Sequence, residues 1–288
     1  MNTPNVSGGS ASSTIVPKTV VTAPHAWLAS ELLGLKVVSK EGESLGKIED
    51  VVVHPSDRPS YAVLSFGGWL GMGDKLFALP WSVLRTVEAD ASVKDSARSL
   101  VLPVGKERFK TAPGFDKTSW PDMANHDWTR ALDTFYRADI DVHRSHLAGS
   151  VPYTSTVTWK ASELKGAVVR TPGGEKLGDI RDLAIDTNGR VMYAALSVGG
   201  FLGMGDRVVA VPWDSMVFAR GNENGDKKLV TLGSTKPQLE HAPQFKTGAE
   251  YSAEMRDPRW TRGVYDHFAA PAYWETVHAA RIEPSARI

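Results

Sequence analysis

The stretch Gly67-Gly68-Trp69-Leu70-Gly71-Met72-Gly73-Asp74 returns 132 residues later as Gly199-Gly200-Phe201-Leu202-Gly203-Met204-Gly205-Asp206. Working outward, Ala29-Ser30-Glu31-Leu32 recurs as Ala161-Ser162-Glu163-Leu164, and Pro80-Trp81 as Pro212-Trp213. Between Ala29–Trp81 and Ala161–Trp213, 27 of 53 positions are identical without a gap. The chain of 288 residues therefore carries two copies of one unit. The period is far longer than the ~20–50 residues of solenoids and propellers, so each copy reads as a domain. A catalytic group doubled by the duplication should stand in both copies or have decayed in one.

The expected organisation is a flexible leader over 1–26, a first copy over 27–136, a linker over 137–158, a second copy over 159–268 and a tail over 269–288. Thirty-three basic and 33 acidic residues leave no formal net charge. Lys and Arg are nowhere concentrated, which argues against a dedicated nucleic-acid binder, whose affinity comes largely from phosphate neutralisation. The absence of cysteine excludes disulfides and thiolate chemistry. The polar start lacks the apolar run of a signal peptide, and no segment approaches ~20 consecutive apolar residues. The expectation is a soluble, cytoplasmic protein, with any membrane association peripheral.

Each copy reads as short strands between turns. In the first, these are 35–38, 47–53, 61–66, 75–79 and 99–102, rich in β-branched and aromatic residues. In the second, Asn188-Gly189 between 184–186 and 191–196 reads as a hairpin, because Asn-Gly accepts the positive φ of a tight turn. Five or six short strands in each copy predict a small closed barrel or sandwich. Ala112-Pro113-Gly114-Phe115 then matches Ala242-Pro243-Gln244-Phe245. Trp128-Thr129-Arg130 matches Trp260-Thr261-Arg262 in segments read as short helices over 127–136 and 259–268, with Asp127 and Asp257 as candidate caps.

The string Glu31-Leu32, Gly34, Gly46-x-Ile48-x-Asp50, the Gly-rich octapeptide and Ala78-x-Pro80-Trp81 resembles the PRC-barrel family. That family includes the cytoplasmic part of the photosynthetic reaction-centre H subunit and a domain of the ribosome maturation factor RimM. The resemblance covers about 29–104 and 161–233. The segments that follow are similar to the extension of stand-alone bacterial PRC-barrel proteins. The resemblance implies a mainly β fold: two tandem six-stranded barrels, each with a short helical extension, related by a pseudo-two-fold axis. It implies partner binding or support of an assembly, with no common catalytic residues.

The glycines lead into strand-like segments and no Walker Lys-Ser/Thr follows, so they read as inter-strand connections and not as a phosphate cradle. Trp69, Leu70, Met72 and Asp74, with Phe201, Leu202, Met204 and Asp206, are the candidate interaction residues. The apolar members either cap their own barrel or meet the other copy or a partner. Asp50/Asp182 and Asp74/Asp206 are duplicated without a duplicated His, Ser or Lys at fitting spacing. Turn-capping or hydrogen bonding to loop amides is the expected role of these carboxylates. His54 is replaced by Asp186 and His126 by Pro258. His143 and His146 in the linker find no third metal ligand. Trp81/Trp213 and Trp128/Trp260 read as core or helix-docking anchors. No catalytic residue, cofactor or metal is expected. The favoured function is a non-enzymatic interaction module that docks a protein partner or assembly, with homodimerisation open. The alternatives are an RNA- or ribosome-associated factor, and a ligand binder or enzyme with a groove between the barrels.

Overall fold

The computed structural model describes residues 26–55, 60–66, 75–87, 99–137, 157–199, 207–221, 228–246, 254–255 and 257–274. The first repeat contributes β1 (Ala26–Leu28), α1 (Ala29–Leu32), β2 (Lys36–Ser39), β3 (Ser44–Val53), β4 (Tyr61–Phe66), β5 (Lys75–Pro80), β6 (Arg85–Val87) and β7 (Ser99–Leu102). Its extension adds β8 (Gly114–Asp116) and α2 (His126–Arg137). The second repeat contributes β9 (Trp159–Lys160), α3 (Ala161–Leu164), β10 (Val168–Arg170), β11 (Lys176–Asp186), β12 (Val191–Val198), β13 (Arg207–Pro212), β14 (Met216–Arg220) and β15 (Lys228–Leu232). Helices α4 (Lys236–Glu240) and α5 (Pro258–His267) follow.

The ladder order is β6-β7-β2-β3-β4-β5 in the first repeat and β14-β15-β10-β11-β12-β13 in the second. These are six strands from each repeat in the same order, as the resemblance implies. The two ends of each path are consecutive in the chain and are joined by a 3-10 turn, Trp81–Val83 or Trp213–Ser215. At Gly46 and Gly178 the neighbouring strand passes so close that a Cβ would overlap the carbonyl of Ser65 or Ser197. The duplicated glycine thus lets the sheet fold tightly at the same place in both repeats.

The long strands β3 and β11 are paired along one edge by two different partners. β2 covers the first part of β3 over Ser44–Lys47, and β10 covers the first part of β11 over Lys176–Asp179. The rest of each edge is taken by the other repeat. β9 pairs Lys160 with Val52 and Trp159 with Val53, and β1 pairs Ala26, Trp27 and Leu28 with Asp186, Ile185 and Ala184. Each repeat therefore lends its leading strand to its neighbour, and each covers backbone groups that would otherwise form an open edge.

Composition allows each copy a core of its own, but the packing joins them. One cluster of buried side chains runs through both repeats and includes Trp27, Trp81, Trp159 and Trp213. A buried indole removes about 150–250 Å² from water, worth about 4–6 kcal/mol at ~25 cal/mol/Å². A second cluster combines Ala26 and Leu28 of β1 with Met192, Val264, Tyr265, Tyr273 and Trp274. The segment beginning at 269 is thus packed against both repeats at its start.

Both extensions dock on their own repeat. Trp128 meets Tyr61 and Phe115, and Trp260 meets Tyr193 and Phe245. β8 covers the outer edge of β5, and the Phe245 amide donates to the Val208 carbonyl at 2.8 Å on the matching edge of β13. The Ala-Pro-x-Phe segments are edge covers. Asp257 caps α5 through the Arg259 amide at 2.8 Å, as its position predicts. At α2 the cap is Asn125, not Asp127: its side chain accepts from the amides of Asp127 and Trp128 at 2.9 and 3.2 Å. An Asn directly before the first helical residue reaches those amides without distorting the turn.

Candidate interaction site at the junction of the repeats

The sequence Ala-Ser-Glu-Leu builds one helical turn in each repeat, preceded by Leu28 or Lys160. Neither residue has a side-chain oxygen with which to cap the turn. The missing acceptor comes from the other repeat. Asp182 Oδ1 accepts from the Ser30 amide at 3.2 Å, and Asp50 Oδ1 accepts from the Ser162 amide at 3.2 Å. The Ser162 hydroxyl also donates to Asp50 Oδ2. Asp50 and Asp182 therefore each supply the capping acceptor for the opposite repeat's first helix, where the helix end carries partial positive charge. Sequence reasoning expected turn-capping or bonding to loop amides from these carboxylates; the amides they bond across the junction are those of a helix in the other copy.

Burial raises the Asp50 carboxyl above its ordinary value, against the opposing pull of the Ser162 bonds. Its residue is 4% exposed, whereas Asp182 is half-buried.

The two tryptophans of the Pro-Trp dipeptides cross the junction as well. Trp81 Nε1 donates to the Thr187 carbonyl at 3.2 Å, and Trp213 Nε1 donates to the His54 carbonyl at 2.8 Å. The Ser60 amide donates to the Gly189 carbonyl at 2.7 Å. Gly189 has φ +83°, and a Cβ on it would overlap the Trp81 ring. The hairpin between β11 and β12 is present where Asn188-Gly189 predicts it, with a different turn. Asn188 keeps a negative φ and Gly189 alone is left-handed. The Asp186 carboxylate accepts from the Asn188 and Arg190 amides at 2.8 and 2.9 Å, which holds Asn188 out of the left-handed region.

Asp186 is fully buried and also accepts from the Tyr273 hydroxyl at 2.6 Å. Burial raises its carboxyl above the ordinary value, and these hydrogen bonds oppose the shift. Burial and the Asp186 charge push the Tyr273 phenol far above its usual range. Tyr265 is raised by burial in the same cluster, and its hydroxyl donates to the Met192 carbonyl at 2.6 Å.

All eight candidate interaction residues, Trp69, Leu70, Met72, Asp74, Phe201, Leu202, Met204 and Asp206, lie outside the described residues. So do His143 and His146. The roots of the Gly-rich loops are described. Each joins two antiparallel neighbours, β4 to β5 and β12 to β13. The loop emerges after Phe66 and before Lys75, while the junction contacts of Ser60 and Trp81 lie at the other end of the same two strands. At about 3.3 Å per residue the two ends are roughly 20 Å apart. The glycines lead into strands in both repeats, as expected for inter-strand connections.

A PRC-barrel domain model matches residues 26–108 and 159–235. The chain belongs to the PRC-barrel family. Both matched segments begin at the exchanged strands, so β1 and β9 are part of the PRC unit in sequence although each completes the other barrel in space. No curated protein matches the chain. Among the described residues no helix is long and apolar enough to cross a membrane.

The leading strands are what the strand reading of the sequence missed. The signal was Trp27-Leu28 and Trp159-Lys160, an aromatic pair at the repeat offset directly before Ala-Ser-Glu-Leu.

Proposed function

We propose that this chain is a non-enzymatic structural module, a paired PRC barrel that docks a protein partner or assembly through its Gly-rich loops. The observation that carries this reading is the use of the duplicated polar residues. Asp50, Asp182, Ser162, Trp81 and Trp213 are engaged in hydrogen bonds between the repeats. These duplicated groups, among the described residues, therefore have a structural role that accounts for them. The other end of each sheet carries the loop with Trp69, Leu70 and Met72 or Phe201, Leu202 and Met204, apolar residues of the kind that mark interaction surfaces. Joining the barrels sets the spacing of the strand ends from which these two loops leave, which favours a partner that engages both.

The test is affinity capture from the native cell with the full chain and with a Trp69→Ala, Phe201→Ala variant. A protein retained by the wild type and lost from a variant of unchanged melting temperature supports the reading. Ribosomal RNA retained at low salt and released at high salt would replace it with the RNA-associated reading.

A further inference from the structure

The junction between the repeats is self-complementary. Ser30 meets Asp182 as Ser162 meets Asp50, with both members of the second pair 132 positions from their counterparts in the first. Trp81 and Trp213 each donate across the junction to the opposite repeat's β-strand end. The leading strand of each repeat pairs with the long strand of the other. Reciprocity of this kind, in which residue i meets j and j meets i, is the property of a two-fold interface between identical subunits. Here the two subunits are successive parts of one chain.

We propose that a second copy of this chain can complete the same junction. In the exchanged dimer, the first repeat of one chain receives β9 from its partner, and the partner's second repeat receives β1 in return. The contacts of the exchanged form are those already described, so no new surface has to be made. What separates the closed monomer from the dimer is the tether, because in the monomer both repeats belong to one chain, which holds them at a high mutual concentration. For tethered modules that concentration is about millimolar. The closed form therefore prevails in dilute solution, and the exchanged form gains as chain concentration approaches that range. An unexchanged repeat would expose the second half of the β3 or β11 edge together with the buried faces of Trp27 or Trp159. This gives each repeat a reason to accept a strand from whichever chain offers it. The inference is independent of what binds the Gly-rich loops.

The chain has no cysteine, so a cross-strand pair placed at the junction is unambiguous. Leu28 and Ala184 are direct partners across β1 and β11. Directly opposed antiparallel residues have Cα atoms about 4.5–5.5 Å apart, within the range of a disulfide. Full-length protein carrying Leu28→Cys and Ala184→Cys is refolded dilute and near millimolar, oxidised, and run without reductant. The expected result is an internally cross-linked monomer in the dilute sample, joined by a covalent dimer in the concentrated one. Internal cross-linking alone at both concentrations overturns the proposal. Because two substitutions in the core can impair folding, unsubstituted heavy- and light-isotope chains are refolded together near millimolar and examined by native mass spectrometry. Heavy–light dimers found directly after dilution, and converted to monomers when the same sample is unfolded and refolded dilute, support exchange, and their absence overturns it.

Discussion

Gly189 of the second repeat lies against the indole of Trp81 in the first, so closely that a Cβ on the glycine would overlap the ring. This contact, with Ser60 and Thr187 beside it, places the β11–β12 hairpin on the neighbouring barrel. Gly189→Ala combines a left-handed backbone penalty of about 1 kcal/mol with an overlap against a buried ring that cannot move freely. Gly174 is left-handed too, at φ +90°, but a Cβ there would meet nothing within 4 Å. Thermal unfolding should show Gly189→Ala losing at least ~1 kcal/mol more than Gly174→Ala. Equal losses would show that the hairpin does not rest on Trp81.

The crossed caps make a graded prediction. Asp182→Ala removes an acceptor from the Ser30 amide and should cost ~1 kcal/mol, the usual effect of losing an N-cap. Asp50→Ala removes acceptors from both the amide and the hydroxyl of Ser162 and should cost more, about 1–3 kcal/mol. A double-mutant cycle of Asp50→Ala with Ser162→Ala should give a coupling of at least ~0.5 kcal/mol, although the two residues are 112 positions apart in sequence. Additive losses would contradict the cross-repeat bond.

Asp186 should give the protein a distinctive pH response. Its folded carboxyl lies above the ordinary value of 3.8, so the unfolded chain releases that proton first. The group's favourable contribution is present in full below that ordinary value and is lost as pH rises through the higher folded value. Wild-type stability measured relative to Asp186→Asn should therefore fall as pH rises above the ordinary carboxyl value of 3.8. Asp50 is shifted in the same direction, is present in both proteins, and cancels in the comparison. Chemical denaturation at a series of pH values decides it. Parallel curves would contradict the buried, raised carboxyl.

Ala269 is left-handed at φ 49°, where it turns the chain out of α5 so that Tyr273 and Trp274 can reach the second core cluster. The Ala270 amide donates back to the Tyr265 carbonyl at 2.9 Å, closing that helix end. Glycine is the residue favoured at such a position, so Ala269→Gly should stabilise the protein by ~1 kcal/mol. Trp274→Ala should destabilise it by about 3–5 kcal/mol, as for other buried aromatics. Calorimetry of the two variants checks both directions.

Much of the barrel was legible from residue order alone. The strands over 61–66 and 99–102 fall where β-branched and aromatic runs put them, and the family string anticipated six strands per repeat. These are local signals, set by propensity and turn chemistry. The strand exchange was not legible, because β1 and β9 have three and two residues and no period of their own. Their partners lie in the other copy, at a separation that no local pattern reports. The roles of Asp50 and Asp182 were half legible. Their duplication without a base or nucleophile pointed to hydrogen bonding, while the identity of the amides depended on tertiary structure. The Asn125 cap and the Asp186-anchored hairpin turn were missed because a neighbouring Asp or Asn-Gly offered an equally good local reading. Side-chain geometry decided between them.

The central claim is that each repeat is completed by the leading strand of the other. A protease site placed within residues 138–156 allows the connection to be cut after folding. The account predicts that the two fragments remain together on native size exclusion, melt in one transition, and separate only in denaturant. Fragments that part under native conditions and each melt as independent folded domains would contradict it.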